Sequence, residues 1–288
     1  MTELAAVPFP KKSELPGVNV MVEGPTGRGK TTSLGTLVDA GIETFVLFTE
    51  NGLETLLGYW KDKGKPVPDN LHWHILPPFK ESWKTMIEAA EKVNTIALDQ
   101  WAKMTDPNRG SYSRFVDLLR LLSDFEDQRT GKKYGPVDSW NTSRCLAIDS
   151  LTGLSYFAMS LVIGGKPVKS LPEWGAAQDV LERLLRQMCD GCRCHFVLTA
   201  HIEREVDLVQ GGTRMMASTL GKALAPKLPP MFSDVIIAVR EGVKFTWDTA
   251  DTNADLKARN LPIANGLPQD FGKIIEKWKS RGGLVETL

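Results

Sequence analysis

Residues 24–31 read Gly24-Pro25-Thr26-Gly27-Arg28-Gly29-Lys30-Thr31, followed by Thr32. The spacing fits Gly-x-x-x-x-Gly-Lys-Ser/Thr, a phosphate-binding loop, or P-loop. Glycines at 24, 27 and 29 let the backbone wrap tightly and aim amide protons at phosphate oxygens. A helix beginning near Lys30 would turn the positive end of its dipole toward the same anion. In such a loop the Lys30 ammonium reaches the β- and γ-phosphates, and the Thr31 hydroxyl holds Mg²⁺. The expected ligands are ATP and Mg²⁺.

Three further polar residues stand where apolar runs end. Asp149 closes Cys145-Leu146-Ala147-Ile148-Asp149. A carboxylate at the end of a later strand is where P-loop enzymes place a group for the Mg²⁺ shell. The next residue is Ser150, not an acid, so a water-activating glutamate must come from elsewhere. Glu50, in Phe48-Thr49-Glu50-Asn51-Gly52, is the best candidate, because ligands of parallel sheets lie at the C-terminal strand edge. The plainer alternative is a solvated turn acid. His201 ends Leu198-Thr199-Ala200-His201 and could bond the γ-phosphate; the plainer alternative is a surface histidine.

The elements that must position these groups follow from hydrophobic period. Val18-Asn19-Val20-Met21-Val22 alternates as a strand before the loop, and Leu34, Leu37 and Val38 continue at helical spacing toward Gly41. Residues 44–49 and 71–76 give a second and third strand. A helix is expected over 81–105, and Ser111 could cap another that carries Phe115, Leu118, Leu119 and Leu122. Residues 128–141 read as a loop, 174–188 as a helix, and 196–200 as a strand. Residues 234–239 and 243–247 suit a hairpin around Glu241-Gly242, and 270–279 a last helix. Alternating strands and helices imply an α/β fold with a mostly parallel sheet. Residues 1–16, with Pro8, Pro10 and Pro16, read as an N-terminal arm or linker to a domain over 17–288.

Composition bounds the rest. Of 288 residues, 42% are hydrophobic and 24% charged, ordinary for a globular chain with a sizeable core. The 35 basic and 35 acidic side chains cancel, so charge gives no positive sign of nucleic-acid binding. No apolar run approaches the roughly 20 residues that span a bilayer, so no membrane association is expected. Residues 1–16 lack a secretory pattern, which points to the cytoplasm. Cys189, Cys192, Cys194 and His195 cluster, yet they straddle the junction of a helix and a buried strand. Free thiols suit that position better than a metal site, which stays open.

Three segments together resemble the RecA-like recombinase and ATPase core. They are Gly-Pro-Thr-Gly-Arg-Gly-Lys-Thr, Phe-Thr-Glu-Asn-Gly-Leu-Glu and Leu-Ala-Ile-Asp-Ser-Leu-Thr-Gly-Leu. The chain is most similar to the compact phage-encoded nucleotide-binding branch, which includes single-strand-annealing recombination ATPases. Thr199-Ala200-His201 and Leu256-Lys257-Ala258-Arg259-Asn260-Leu261-Pro262 also look similar to that branch. The likeness runs from about Val18 to Trp278. It implies a RecA-like P-loop core with a helical insertion at about 79–128, in the host bacterial cytoplasm if phage-encoded. Glu50 would be the catalytic glutamate, Asp149 the magnesium-side carboxylate, and His201 a sensor where such recombinases commonly have glutamine. Lys257 and Arg259 would reach a neighbour's ATP in a homo-oligomer, ring or filament. Two loops would face the oligomer axis and contact single-stranded DNA. One spans 163–174 and carries Lys166 and Lys169; the other spans 202–216 and carries Arg204 and Arg214.

The implied activity is Mg²⁺-dependent ATP hydrolysis in DNA recombination, single-strand annealing or repair, with a single-strand DNA-binding protein as a possible partner. Two alternatives stay open. One is a nucleotide-gated phage assembly or packaging factor that never binds DNA. The other is a P-loop kinase, although the sequence offers no Arg-rich lid.

Overall fold

The structure is a computed structural model that describes residues 13–78, 82–95, 100, 113–164, 170–206 and 213–287. It is an α/β fold built on one mixed, mostly parallel sheet. The sheet holds β1 (Asn19–Glu23), β2 (Glu43–Phe48), β3 (Leu71–Ile75), β4 (Arg144–Asp149), β5 (His195–Ala200), β8 (Asp234–Glu241), β9 (Lys244–Asp248), β10 (Lys257–Ala258) and β11 (Leu267–Pro268). Its order is β11-β9-β8-β1-β5-β4-β2-β3, with β10 also paired to β8. The run from β8 to β3 is parallel; β9, β10 and β11 join antiparallel.

The strands form because their residues are apolar on both faces, as a sheet covered on two sides requires. Alternate residues go to opposite cores. Met21, Phe45, Leu47, Leu146, Ile148, Phe196 and Leu198 face one side. There they meet α5 (Arg114–Ser123), α6 (Leu151–Ile163), α7 (Leu171–Arg186) and the short α8 (Gly221–Leu224). Val20, Val22, Val46, Phe48, Ala147 and Val197 face the other, against Leu34 just after α1 (Lys30–Ser33), and against α2 (Gly35–Asp39), α3 (Leu53–Lys61) and α9 (Phe271–Ser280). Each fully buried side chain of this kind contributes about 1.5–3 kcal/mol. Leu34 joins α1 to α2 with helical dihedrals, so the helix expected after the loop is present in two short pieces.

Helix ends follow their caps. Ser170 and Glu173 form a capping box at α7, and Asp270 accepts from the Gly272 N–H at α9 (2.8 Å). Ser113 stands at the N-cap position of α5, while the expected cap Ser111 lies outside the described residues. Of the helix expected over 81–105, α4 (Trp83–Thr95) is described. Helix α6 gives no amphipathic signal because eight of its thirteen residues are buried. The end of the expected arm packs on its own chain: Trp278 Nε1 donates to the Pro16 carbonyl (2.9 Å), and the Ser13 N–H to Glu286 (2.9 Å). No helix among the described residues is long and apolar enough to cross a membrane.

One expectation needs correction. Residues 202–216 are not simply a loop. β6 (Ile202–Val206) and β7 (Thr213–Ala217) form a separate antiparallel hairpin. Ile-Glu-Arg-Glu-Val carries three consecutive charged residues and has no buried position, so the sequence shows little strand signal. In the register Glu205 stands opposite Arg214 and Glu203 opposite Met216.

Candidate functional site

The strand order sets the site. β5 lies between β1 and β4, and β2 lies beyond β4. All four run parallel, so their C-terminal ends share one edge of the sheet. That edge carries Glu23 and the loop, His201, Asp149 and Glu50 in turn. It borders a cleft of about 500 Å³ lined by Thr26–Thr32, Glu50, Asn51, Thr55, Asp149, His201, Arg240 and Phe245.

The loop is held in shape from within. Gly29 has φ 86°, and a Cβ there would stand 2.4 Å from Gln269 Oε1, so only glycine fits. Lys30 is buried at 7% exposure, and its Nζ donates to the carbonyls of Gly24 (2.7 Å) and Pro25 (2.9 Å). Burial pushes its ammonium below the usual lysine range, while Asp149 and Glu50 pull it back up. Pro25, Thr26, Gly27 and Arg28 complete the turn. Arg28 Nη1 donates to the Arg240 carbonyl at 2.7 Å, which fastens the loop to the β8–β9 hairpin.

Both oxygens of Asp149 are engaged. Thr31 Oγ1 donates to Oδ2 at 2.7 Å, and Thr199 Oγ1 donates to Oδ1. A carboxylate and a hydroxyl are hard oxygen donors suited to Mg²⁺, which needs few protein ligands because it keeps several waters. The Asp149–Ser150 peptide is cis, and the Ser150 N–H bonds Thr49 Oγ1 at 2.8 Å.

Glu50 sits between two partners. Ser150 Oγ donates to Oε1 at 2.8 Å, and His201 Nε2 stands 3.7 Å from Oε2. The His201 ring and the Ser150 hydroxyl hold the Glu50 carboxyl below the usual carboxylate range despite partial burial, and the Lys30 charge adds to this. Glu50 is therefore an ionised acceptor facing the cleft, as water activation requires.

Other candidates lie elsewhere. Lys257 pairs at the N-terminal end of β8, and its Nζ donates to the Phe232 carbonyl at 2.7 Å. It is outside its own chain's cleft and is engaged structurally. Arg259, two residues on, is exposed. On the hairpin, Arg204 is exposed and Arg214 forms an ion pair with Asp255, so the second cation is already engaged. Lys166 and Lys169 lie outside the described residues. A second cleft of about 610 Å³, between Asn260–Pro262 and α9, holds none of the candidates.

The cysteine cluster does not assemble a metal site among the described residues. All four thiols are free and buried. His195 is fully engaged: its Nδ1 accepts from the Val18 N–H (3.0 Å) and its Nε2 lies 3.0 Å from the Thr142 carbonyl. Burial pushes its imidazole down to about 4.

Sequence reasoning gave no role to Ser150 and Thr199, which orient Glu50 and Asp149. The signal for Thr199 is register: Ile148 pairs with Leu198, so Asp149 and Thr199 are the next pair along. No family model matches this chain, and no curated protein matches it in sequence.

Proposed function

We propose that this chain is a Mg²⁺-dependent ATPase of RecA-like type, acting in DNA recombination, single-strand annealing or repair. One observation carries the reading: Lys30 and Thr31 from the loop, with Glu50, Asp149 and His201 from three strand ends, line a single cleft. The strand order supports it. The loop strand and the Asp149 strand are separated by β5, and Glu50 follows the strand beyond. That arrangement suits the RecA-like likeness of the same residues.

The loop amides and Lys30 would hold the triphosphate, at the expense of the Lys30 bonds to its own loop. Thr31 and Asp149 would hold Mg²⁺, whose charge would offset the negative charge that develops on the phosphates. Glu50 would accept a hydrogen bond from the attacking water and orient it, with Ser150 and His201 fixing the carboxylate. His201 runs directly into β6, so a change at the γ-phosphate has a covalent route to the β6–β7 hairpin. Arg204 on that hairpin is the exposed cation available to a DNA backbone.

A second reading keeps the ATPase and replaces DNA by a protein partner in phage assembly or packaging. The pairing of Arg214 with Asp255, and Glu203 and Glu205 beside Arg204, favour it. Calorimetry with Mg²⁺–ATP on Lys30→Ala tests the shared core. Uptake should vanish while the fold persists; undiminished uptake refutes the loop assignment. Turnover measured against added single-stranded DNA separates the two readings, with stimulation expected only for the first.

A further inference from the structure

The cleft does not end at the phosphate loop. On β9, Phe245 is 41% exposed, while the next residues on the strand, Thr246 and Trp247, are buried. Its ring lies against the loop: a Cβ on Gly29 would stand 3.0 Å from Phe245 Cδ1. Arg240, the cross-strand partner of Phe245, lays its guanidinium carbon 5.1 Å from the ring centroid. The Arg240 Nε donates to the Gly242 carbonyl at 2.7 Å, which fixes the plane of the guanidinium.

The hairpin is fastened to the loop at two points. Arg28 Nη1 holds the Arg240 carbonyl, and Gln269 Nε2 donates both to the Arg28 carbonyl (2.8 Å) and to the Thr246 carbonyl (2.9 Å). A recess of about 320 Å³ extends beside the loop between Thr26–Arg28, Arg240 and Gly242. An aromatic ring and a guanidinium plane are thus held rigidly next to the phosphate cradle, with the ring partly open to solvent. An exposed aromatic in a polar cleft loses nothing by being covered, and aromatic rings and guanidinium planes both stack on nucleobases.

We infer that Phe245 and Arg240 form a nucleobase platform, on which the base of the triphosphate stacks while its phosphates occupy the loop. The inference rests on the reading of the loop as a triphosphate site, and it assigns the opposite end of that ligand. Stacking reads the face of a base and not its edge, so the platform serves nucleoside triphosphates without distinguishing one base from another.

Calorimetry with two probes, Mg²⁺–ATP and Mg²⁺ with inorganic tripolyphosphate, separates the two ends. Phe245→Leu keeps an apolar contact with Gly29 and removes the ring. It should weaken ATP binding by about 5- to 150-fold, the range one base on one aromatic supports. Tripolyphosphate binding should be unchanged, and Phe245→Trp should restore ATP affinity. An unchanged ATP affinity in Phe245→Leu overturns the platform. An equal loss for both probes also overturns it, because the ring would then only brace the loop. If the unaltered protein takes up neither probe, the loop reading fails and the platform falls with it.

Discussion

Glu23 occupies the last position of β1, immediately before the loop, and is only 3% exposed. Burial, reinforced by the negative charge of Asp255, pushes its carboxyl from 4.5 up to about 7. A shift of that size corresponds to roughly 3 kcal/mol of preference for the neutral acid. That is a large share of the 5–15 kcal/mol that typically separates folded from unfolded chains. The sign follows from linkage. The raised group contributes its stability fully below the unfolded value of 4.5, and that contribution is lost as pH climbs through about 7. Glu23→Gln keeps the shape and cannot ionise. The stability of the variant relative to the unaltered protein should therefore rise by on the order of 3 kcal/mol between about pH 5 and pH 8. Urea unfolding of both proteins across that range provides the measurement. His195 titrates in the lower part of the window with the opposite sign, since its stability is present above 6.5 and lost as pH falls through about 4. The difference between the two proteins cancels that term. Parallel stability curves would refute the reasoning, whatever their offset, because burying an amide costs the same at every pH.

Glu50, Lys257 and Arg259 each carry a further expected outcome. Glu50→Gln keeps an acceptor for Ser150 Oγ but cannot take a proton, so ATP uptake should persist while hydrolysis falls about 100-fold or more. Normal turnover in that variant would mean that another group serves the water. Lys257→Ala and Arg259→Ala should behave differently. The first loses a bond to the Phe232 carbonyl and should cost about 1 kcal/mol in urea unfolding. The second should leave stability and ATP uptake unchanged yet depress turnover in the oligomer; full activity in a monomeric preparation would contradict a shared site.

Much of the site is legible in local sequence, for local reasons. The P-loop is a contiguous run whose glycines, lysine and threonine act through their own backbone and immediate neighbours. Glu50, Asp149 and His201 are legible because an apolar run that stops at a polar residue marks a strand end, and strand ends of a parallel sheet meet at one edge. The hairpin around Gly242 follows from turn chemistry for the same reason. The β6–β7 hairpin is not legible: β6 carries three consecutive charges and no buried position, so only its pairing with β7 defines it. Helix α6 is equally silent, because burial on most of its surface erases the periodic stripe.

The sequence by itself determined the glycine-rich run that ends in Lys30-Thr31, and that Glu50, Asp149 and His201 stand at strand ends, since both depend on neighbours along the chain. Only the tertiary structure decided which hydroxyls orient the acids, that Lys257 is engaged in its own fold, and that Phe245 and Arg240 flank the loop. Those relations join residues from 25 to 212 positions apart through strand order and register, where no local pattern constrains which side chains meet.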